Sequence, residues 1–386
     1  MATNSNVLQM NRAKNPARRE AQSTSTLLLK KGTPDMWLFF ITVFLVGIGV
    51  IMVFSASYYD TLSSDPFEYL KRQGAFAGIG LVIMLLAMNV NYLKYRFTAK
   101  YLLYGTFFLL AVVFFFEDIH SVHRWIPLGI INLQPSEVAK FTLSIYLADR
   151  LSKRNADPND LPKVLGPLVL IVGLALLLIY KEPDLGAAVT LAGICVAILF
   201  SAGLSWFYIF GTALAGGGLV YLLIRSSEYQ MLRIQGFLDP WSDPLNTGYQ
   251  VINSYFALGS GRFWGVGIGG SRQKLGFLPE QSTDFIFSIT GEELGFIGAG
   301  FIMILFLLLA WRGYLIALHC PGLYGSLLAV GITTSLVFQA ALNLGVVTGA
   351  LPVTGIALPF LSYGGSSLLM SMGSVGVLLN ISRYHL

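Results

Sequence analysis

Charge is what this sequence has least of. Only 12% of its 386 residues are Asp, Glu, Lys or Arg, where a soluble domain carries about 25%. With 55% hydrophobic residues and a mean hydropathy of +0.67, the chain has more apolar surface than a water-soluble fold can bury, which excludes that class. Cysteine is nearly absent as well. Cys195 lies inside an apolar run and Cys320 in a short connector, so neither a disulfide framework nor a cysteine-ligated metal site is expected. No strong internal repeat is visible, which argues against the inverted-repeat plan of many transporters. The net charge of +5 could suggest nucleic acid, but the basic residues fall in short polar segments between apolar runs. Orientation in a membrane explains them better, and no nucleic-acid partner is expected.

Residues 1–36 carry Arg12, Lys14, Arg18, Arg19, Lys30 and Lys31 against Glu20 and Asp35, among Ser, Thr and Asn. This reads as a disordered basic cytoplasmic tail, and 37–386 as one polytopic membrane domain. The first apolar run, Met36 to about Ala56, is too long for a signal-peptide core and lacks a cleavage pattern, so it stays attached as a span. Further apolar segments lie near 74–90, 101–116, 137–149, 163–180, 185–202, 205–224, 284–311, 322–347 and 363–381. The expected fold is therefore an all-α membrane protein of about ten transmembrane helices with both termini cytoplasmic. That orientation places Lys94, Arg96, Lys100, Arg150, Lys153, Arg154, Lys163, Arg312 and Arg383 inside, as the positive-inside bias requires. One long extracytoplasmic loop, 225–283, separates helices 7 and 8.

The fourth segment opens Gln134-Pro135-Ser136-Glu137, a start suited to a helix because Pro fits the first turn and an acid favours the N-terminus. If Arg150 marks the inner interface, Glu137 lies about 20 Å and Lys140 about 15 Å above it, inside a core about 30 Å thick. Being three apart, the two can pair, either as a structural ion pair or as part of a substrate path. Arg124-Trp125 just before reads as an interfacial anchor on spacing alone. In the long loop, Gly-Val-Gly-Ile-Gly-Gly ending at Gly270 lacks the strand and Lys-Ser/Thr of a phosphate loop. Its glycines instead suit tight turns and close backbone approach. Ser282-Thr283-Asp284 opens the eighth span near the outer headgroup level, where Asp284 is either a helix cap or a general base.

An ordered series of motifs now carries a resemblance. Arg124-Trp125, Gln134-Pro135-Ser136-Glu137 with Lys140, Glu182-Pro183-Asp184-Leu185-Gly186, Pro279-Glu280 with Thr283-Asp284-Phe285, Glu292-Glu293-Leu294-Gly295 and Leu358-Pro359-Phe360-Leu361-Ser362-Tyr363-Gly364-Gly365-Ser366-Ser367 together resemble the SEDS family. Gly236 to Trp241, Ser271 to Lys274 and the C-terminal Leu379 to Tyr384 look more like its FtsW and SpoVE branch than its RodA branch. Gln281-Ser282 departs from the family, where His is common before the Thr.

The resemblance implies a peptidoglycan glycosyltransferase of the bacterial plasma membrane that polymerises lipid II at the outer face, in division or spore cortex synthesis. Its implied partners are a class B penicillin-binding protein transpeptidase and other divisome or sporulation proteins. Asp284 becomes the expected catalytic base, with Trp125, Glu137, Lys140, Arg124, Asp184, Arg233, Lys274 and Ser366 as expected substrate-binding residues. No protein-held metal is expected; a divalent cation, Mg or Mn, could come with the substrate pyrophosphate. A lipid II flippase and a non-catalytic recruiter of cell-wall enzymes are the alternatives.

Overall fold

The computed structural model describes residues 32–62, 65–116, 124–129, 131–154 and 156–384. The basic tail expected over 1–36 lies outside the described residues as far as residue 31. A helix forms over each of the ten apolar segments. The chain runs through α1 (Met36–Ser57), α2 (Glu68–Asn89), α3 (Leu93–Val112), α4 (Pro135–Leu151), α5 (Gly166–Lys181), α6 (Leu185–Ser201) and α7 (Trp206–Ser226). It continues through α8 (Glu228–Leu238), α9 (Tyr249–Gly261), α10 (Ile286–His319), α11 (Leu323–Val347) and α12 (Gly365–Ile381). Among the described residues, six stretches can cross a membrane by length and composition: α1, α2, α3 with its extension to Phe115, Leu161–Lys181, α10 and α11. α6 and α12 are apolar but shorter.

Two expectations change. The 225–283 segment is not simply a loop, since α8 and α9 occupy much of it. Nor is the fold wholly α: Ile126–Pro127 (β1) and Asn132–Leu133 (β2) form a short antiparallel pair, Ile126 facing Leu133. Backbone groups at an apolar boundary need partners, and this connector supplies its own.

α4 occupies the centre. Of its 17 residues 14 are buried, so Glu137 and Lys140 face protein rather than lipid. α11 packs on α4, α6 and α10, and α2 on α12. At the end of the molecule opposite the N-terminus of α4, Asp149 takes Arg96 at 2.9 Å and Lys153 at 3.1 Å, while Asp35 caps α1 and pairs with Arg312.

At 34 residues α10 would run about 51 Å, well beyond a bilayer core. It is broken at Gly295 (φ 68°, ψ −170°). The break strands backbone groups, and the glycine-rich segment supplies them: Val266 and Gly267 N–H donate to Glu292 and Glu293 carbonyls, both at 3.0 Å, and Phe296 N–H donates to Arg262 O at 2.8 Å. A Cβ on Gly295 would come within 2.2 Å of Gly265 N, so glycine is required for the approach. The two acids before the break hold the rest of the segment. Glu292 accepts from Ser271 Oγ (2.5 Å) and Arg272 N–H (3.0 Å), and Glu293 from Lys274 Nζ and Ser55 Oγ, each at 2.8 Å.

Lys274→Met is expected to destabilise the protein by about 3–5 kcal/mol, because it leaves a buried carboxylate without its cation. Adding Glu293→Gln should recover part of that loss. Thermal unfolding in detergent tests this; a single variant that melts with the unaltered protein would show that the pair holds nothing.

Candidate functional site

Asp284 stands in the turn that leads into α10. Thr283 and Phe285 N–H both bond Glu280 O, at 3.2 and 3.1 Å, and Phe285 is buried beneath. Phe285 is the N-cap of α10, and no side chain makes a capping hydrogen bond. The capping alternative for Asp284 therefore falls away. Its backbone is held from α11, where Asn343 Nδ2 donates to both Asp284 O and Ile356 O at 2.7 Å. Ser362 Oγ donates to Thr283 O at 2.6 Å. The turn is thus fixed through its main chain, leaving the carboxylate free of hydrogen bonds among the described residues.

Two arginines flank it. Arg124 Nε donates to Glu182 O at 3.2 Å and Nη2 to Pro183 O, so the α5–α6 turn aims the guanidinium. Arg233 of α8 donates from Nη1 to Val353 O at 3.0 Å. Asp284 is half-buried. Burial, reinforced by Glu280, pushes its carboxyl up to about 7; Arg124 and Arg233 pull it down, and Asp184 adds to the rise. A carboxyl poised there can accept a proton near neutral pH. Glu182, fully buried with neither carboxyl oxygen hydrogen-bonded, is pushed up to about 9 by burial and then by Asp184, against Arg124.

The other expected residues divide. Asp184 is buried and caps α6 through Ala187 N–H (3.0 Å), while its second oxygen accepts from Gln134 (2.9 Å) and Ser136 (3.3 Å). Lys140 Nζ donates to Glu137 Oε1 at 2.8 Å and Gln339 Oε1 at 2.5 Å, and Gln339 Nε2 donates to Ala357 O at 2.9 Å. Lys140 thus holds protein from behind the site. Trp125 is half-buried beside Arg124. Ser366 lines an apolar groove of about 370 Å³ with Leu133, Phe141 and Leu369. Lys274 is committed to Glu293 and joins no hydrogen bond or ion pair with the Asp284 group. Among the described residues, no group of three or more His, Cys, Asp or Glu is arranged to hold a metal ion.

Four residues at the site were not singled out from sequence: Glu182 as a buried acid, Gln339, Asn343 and Gly355. Gln339 and Asn343 did leave a signal. They are amides four apart in a long, mainly apolar helix, hence on one face. Gly355 left none.

The chain can be set beside known proteins at this point. The family model for FtsW, RodA and SpoVE, described as a cell cycle protein, matches residues 36–386. Stage V sporulation protein E of Bacillus subtilis (strain 168) is 45% identical over 361 residues, covering 92% of this chain and 98% of the relative. A probable peptidoglycan glycosyltransferase FtsW of Geobacter sp. (strain M18) is 44% identical over 353 residues, covering 90% and 96%. Among solved structures, a chain from a peptidoglycan synthase complex that coordinates polymerization and crosslinking superimposes with a TM-score of 0.75 at 31% identity, covering 91% of this chain and 98% of that one. The rod shape determining protein RodA of Thermus thermophilus gives 0.68 at 29%, covering 91% and 97%. With its helices, the Glu137–Lys140 pair and the Asp284 turn in the order that the family motifs predict, the chain belongs to the FtsW/RodA/SpoVE family.

Proposed function

We infer that the chain is a peptidoglycan glycosyltransferase and that Asp284 is its catalytic base. The observation that carries the reading is a half-buried carboxylate, free of hydrogen bonds and raised to about 7, with two arginines beside it. In the proposed reaction the acceptor sugar's 4-hydroxyl oxygen bonds to C1 of the donor MurNAc as its proton passes to Asp284. The C1–oxygen bond to pyrophosphate breaks, and its electron pair leaves with undecaprenyl pyrophosphate. An α-linked donor becomes a β-linked product by inversion. Arg124 and Arg233, whose charges act on Asp284, are the cations we assign to the departing phosphates, since the charges of Lys140 and Lys274 are each paired with a buried carboxylate. A divalent ion taking part would arrive with the pyrophosphate.

The ten helices over the apolar segments, that is all but α8 and α9, are read as membrane spans, with Asp284 on the outer face and the Asp149 and Asp35 ion pairs on the inner. The basic connectors support this orientation. The donor's lipid tail must stay in hydrocarbon while its headgroup meets Asp284, so lipid II enters sideways. The apolar groove at Ser366, bordered by the hairpin that follows Trp125, suits the tail. A class B penicillin-binding protein is the proposed partner, by analogy with the synthase complex.

Asp284→Asn is expected to lower the polymerisation rate on lipid II by about 10²–10⁴ while expression stays normal; near-normal glycan synthesis would sink the assignment. The pH dependence has opposite signs for rate and stability. A base works deprotonated, so the rate should climb through about pH 7. A carboxyl raised by folding stabilises the protein below its unfolded pKa, and that contribution fades as pH rises through about 7. Melting curves of Asp284→Asn should therefore lack this decline, which runs from the unfolded carboxyl pKa up to about pH 7. Photoreactive groups at Trp125 should capture lipid II and those at Lys153 should not; capture from Lys153 alone would favour a flippase.

A further inference from the structure

Between α11 and α12 the chain crosses the site as a strap without helix or strand, residues 353–357. Three side chains from two helices fix it by its carbonyls. Arg233 holds Val353 O at 3.0 Å, Asn343 holds Ile356 O at 2.7 Å, and Gln339 holds Ala357 O at 2.9 Å. Asn343 also holds Asp284 O, so strap and carboxylate share one anchor. Gly355 sits in the middle of the strap at φ +71°. A Cβ built there would lie 3.5 Å from Asp284 Oδ2 and 3.6 Å from Arg124 Nη1, with no other atom of the described residues within 4 Å apart from the glycine's chain neighbours. Both are ordinary contact distances. Among the described residues, and the glycine's own chain neighbours aside, the space that glycine leaves is therefore bordered by the carboxylate and the guanidinium.

We propose that Gly355 is a positioning residue: its missing side chain leaves the space between Asp284 and Arg124 where the acceptor hydroxyl sits as it loses its proton. The inference rests on the reading of Asp284 as the base. A methyl group there would exclude the hydroxyl and strip water from the carboxylate without a clash. Near-attack geometry is sensitive to displacements of about 1 Å, so the loss should appear in the chemical step. Further desolvation raises a carboxyl pKa, which gives a second signature that a structural defect would not share.

The test is Gly355→Ala, assayed on lipid II from pH 5.5 to 9 with the full chain in detergent. The rate should fall by about tenfold or more, and its rising limb should move to higher pH. Gly203→Ala is the strain control, because Gly203 also has positive φ (+97°) and nothing within 4 Å of its Cβ position. It should keep both rate and profile. A Gly355→Ala protein with an unchanged rate overturns the proposal, and so does a slower one whose pH limb stays in place. If Ala prevents folding, Gly355→Asn is read by the same criteria, since Asn tolerates left-handed backbone better. If neither variant folds, the strap is a folding element and the proposal fails. Asp284→Asn separates the two readings. Normal polymerisation by that variant removes the base assignment, whereas an inactive Asp284→Asn beside an unaffected Gly355→Ala removes only this inference.

Discussion

A charge carried into an apolar interior must find a partner, and much of this fold follows from that constraint. Glu137 and Lys140 lie on the most buried helix of the protein, where an unpaired charge would be costly. They pair with each other, and the remaining capacity of the ammonium group goes to Gln339. Gln339 in turn holds Ala357. One ion pair in α4 thus reaches through α11 to the strap beside Asp284, so satisfying a buried charge also sets the geometry of the site.

The same constraint governs α10. A helix broken at Gly295 inside an apolar region exposes backbone groups that only another segment can satisfy, and residues 262–267 do so. Glu292 and Glu293 then bind 271–274. The segment after α9 is in this way fastened to the helix that Asp284 precedes. Against this background of matched groups, Asp284 stands out as a carboxylate whose backbone is fixed while its side chain is left open. Glu182 also lacks partners, but it is fully buried and meets the constraint by holding its proton near neutral pH.

Much of this was legible beforehand. The ten helical segments follow from apolar length, and the α4 start from Pro135 and Glu137. The pairing of Glu137 with Lys140 follows from spacing. Arg124, Lys140, Arg233 and Lys274 were the expected cations, Lys140 foremost; the charges of Arg124 and Arg233 act on Asp284, whereas Lys140 is held by Glu137 and Gln339. Lys274 was grouped with them because a basic residue in an outer loop looks available. Its partner, Glu293, is 19 residues away in sequence on the next long helix, a spacing that no local pattern announces. α8 and α9 went unread within the long connector because its polar residues mask their shorter apolar faces.

The sequence by itself determined which segments are apolar enough to form the long helices and which motifs mark the family, because hydropathy and motif order are local properties of the chain. Tertiary structure alone decided which cations face Asp284 and which are neutralised, and that Asp284 caps nothing. It also decided that a strap from between the last two helices lies beneath the carboxylate with a glycine at its centre. These depend on packing between residues such as Arg124, Asp284 and Gly355, far apart in the chain, and burial sets both a carboxyl's pKa and the worth of a charge only after that packing is made.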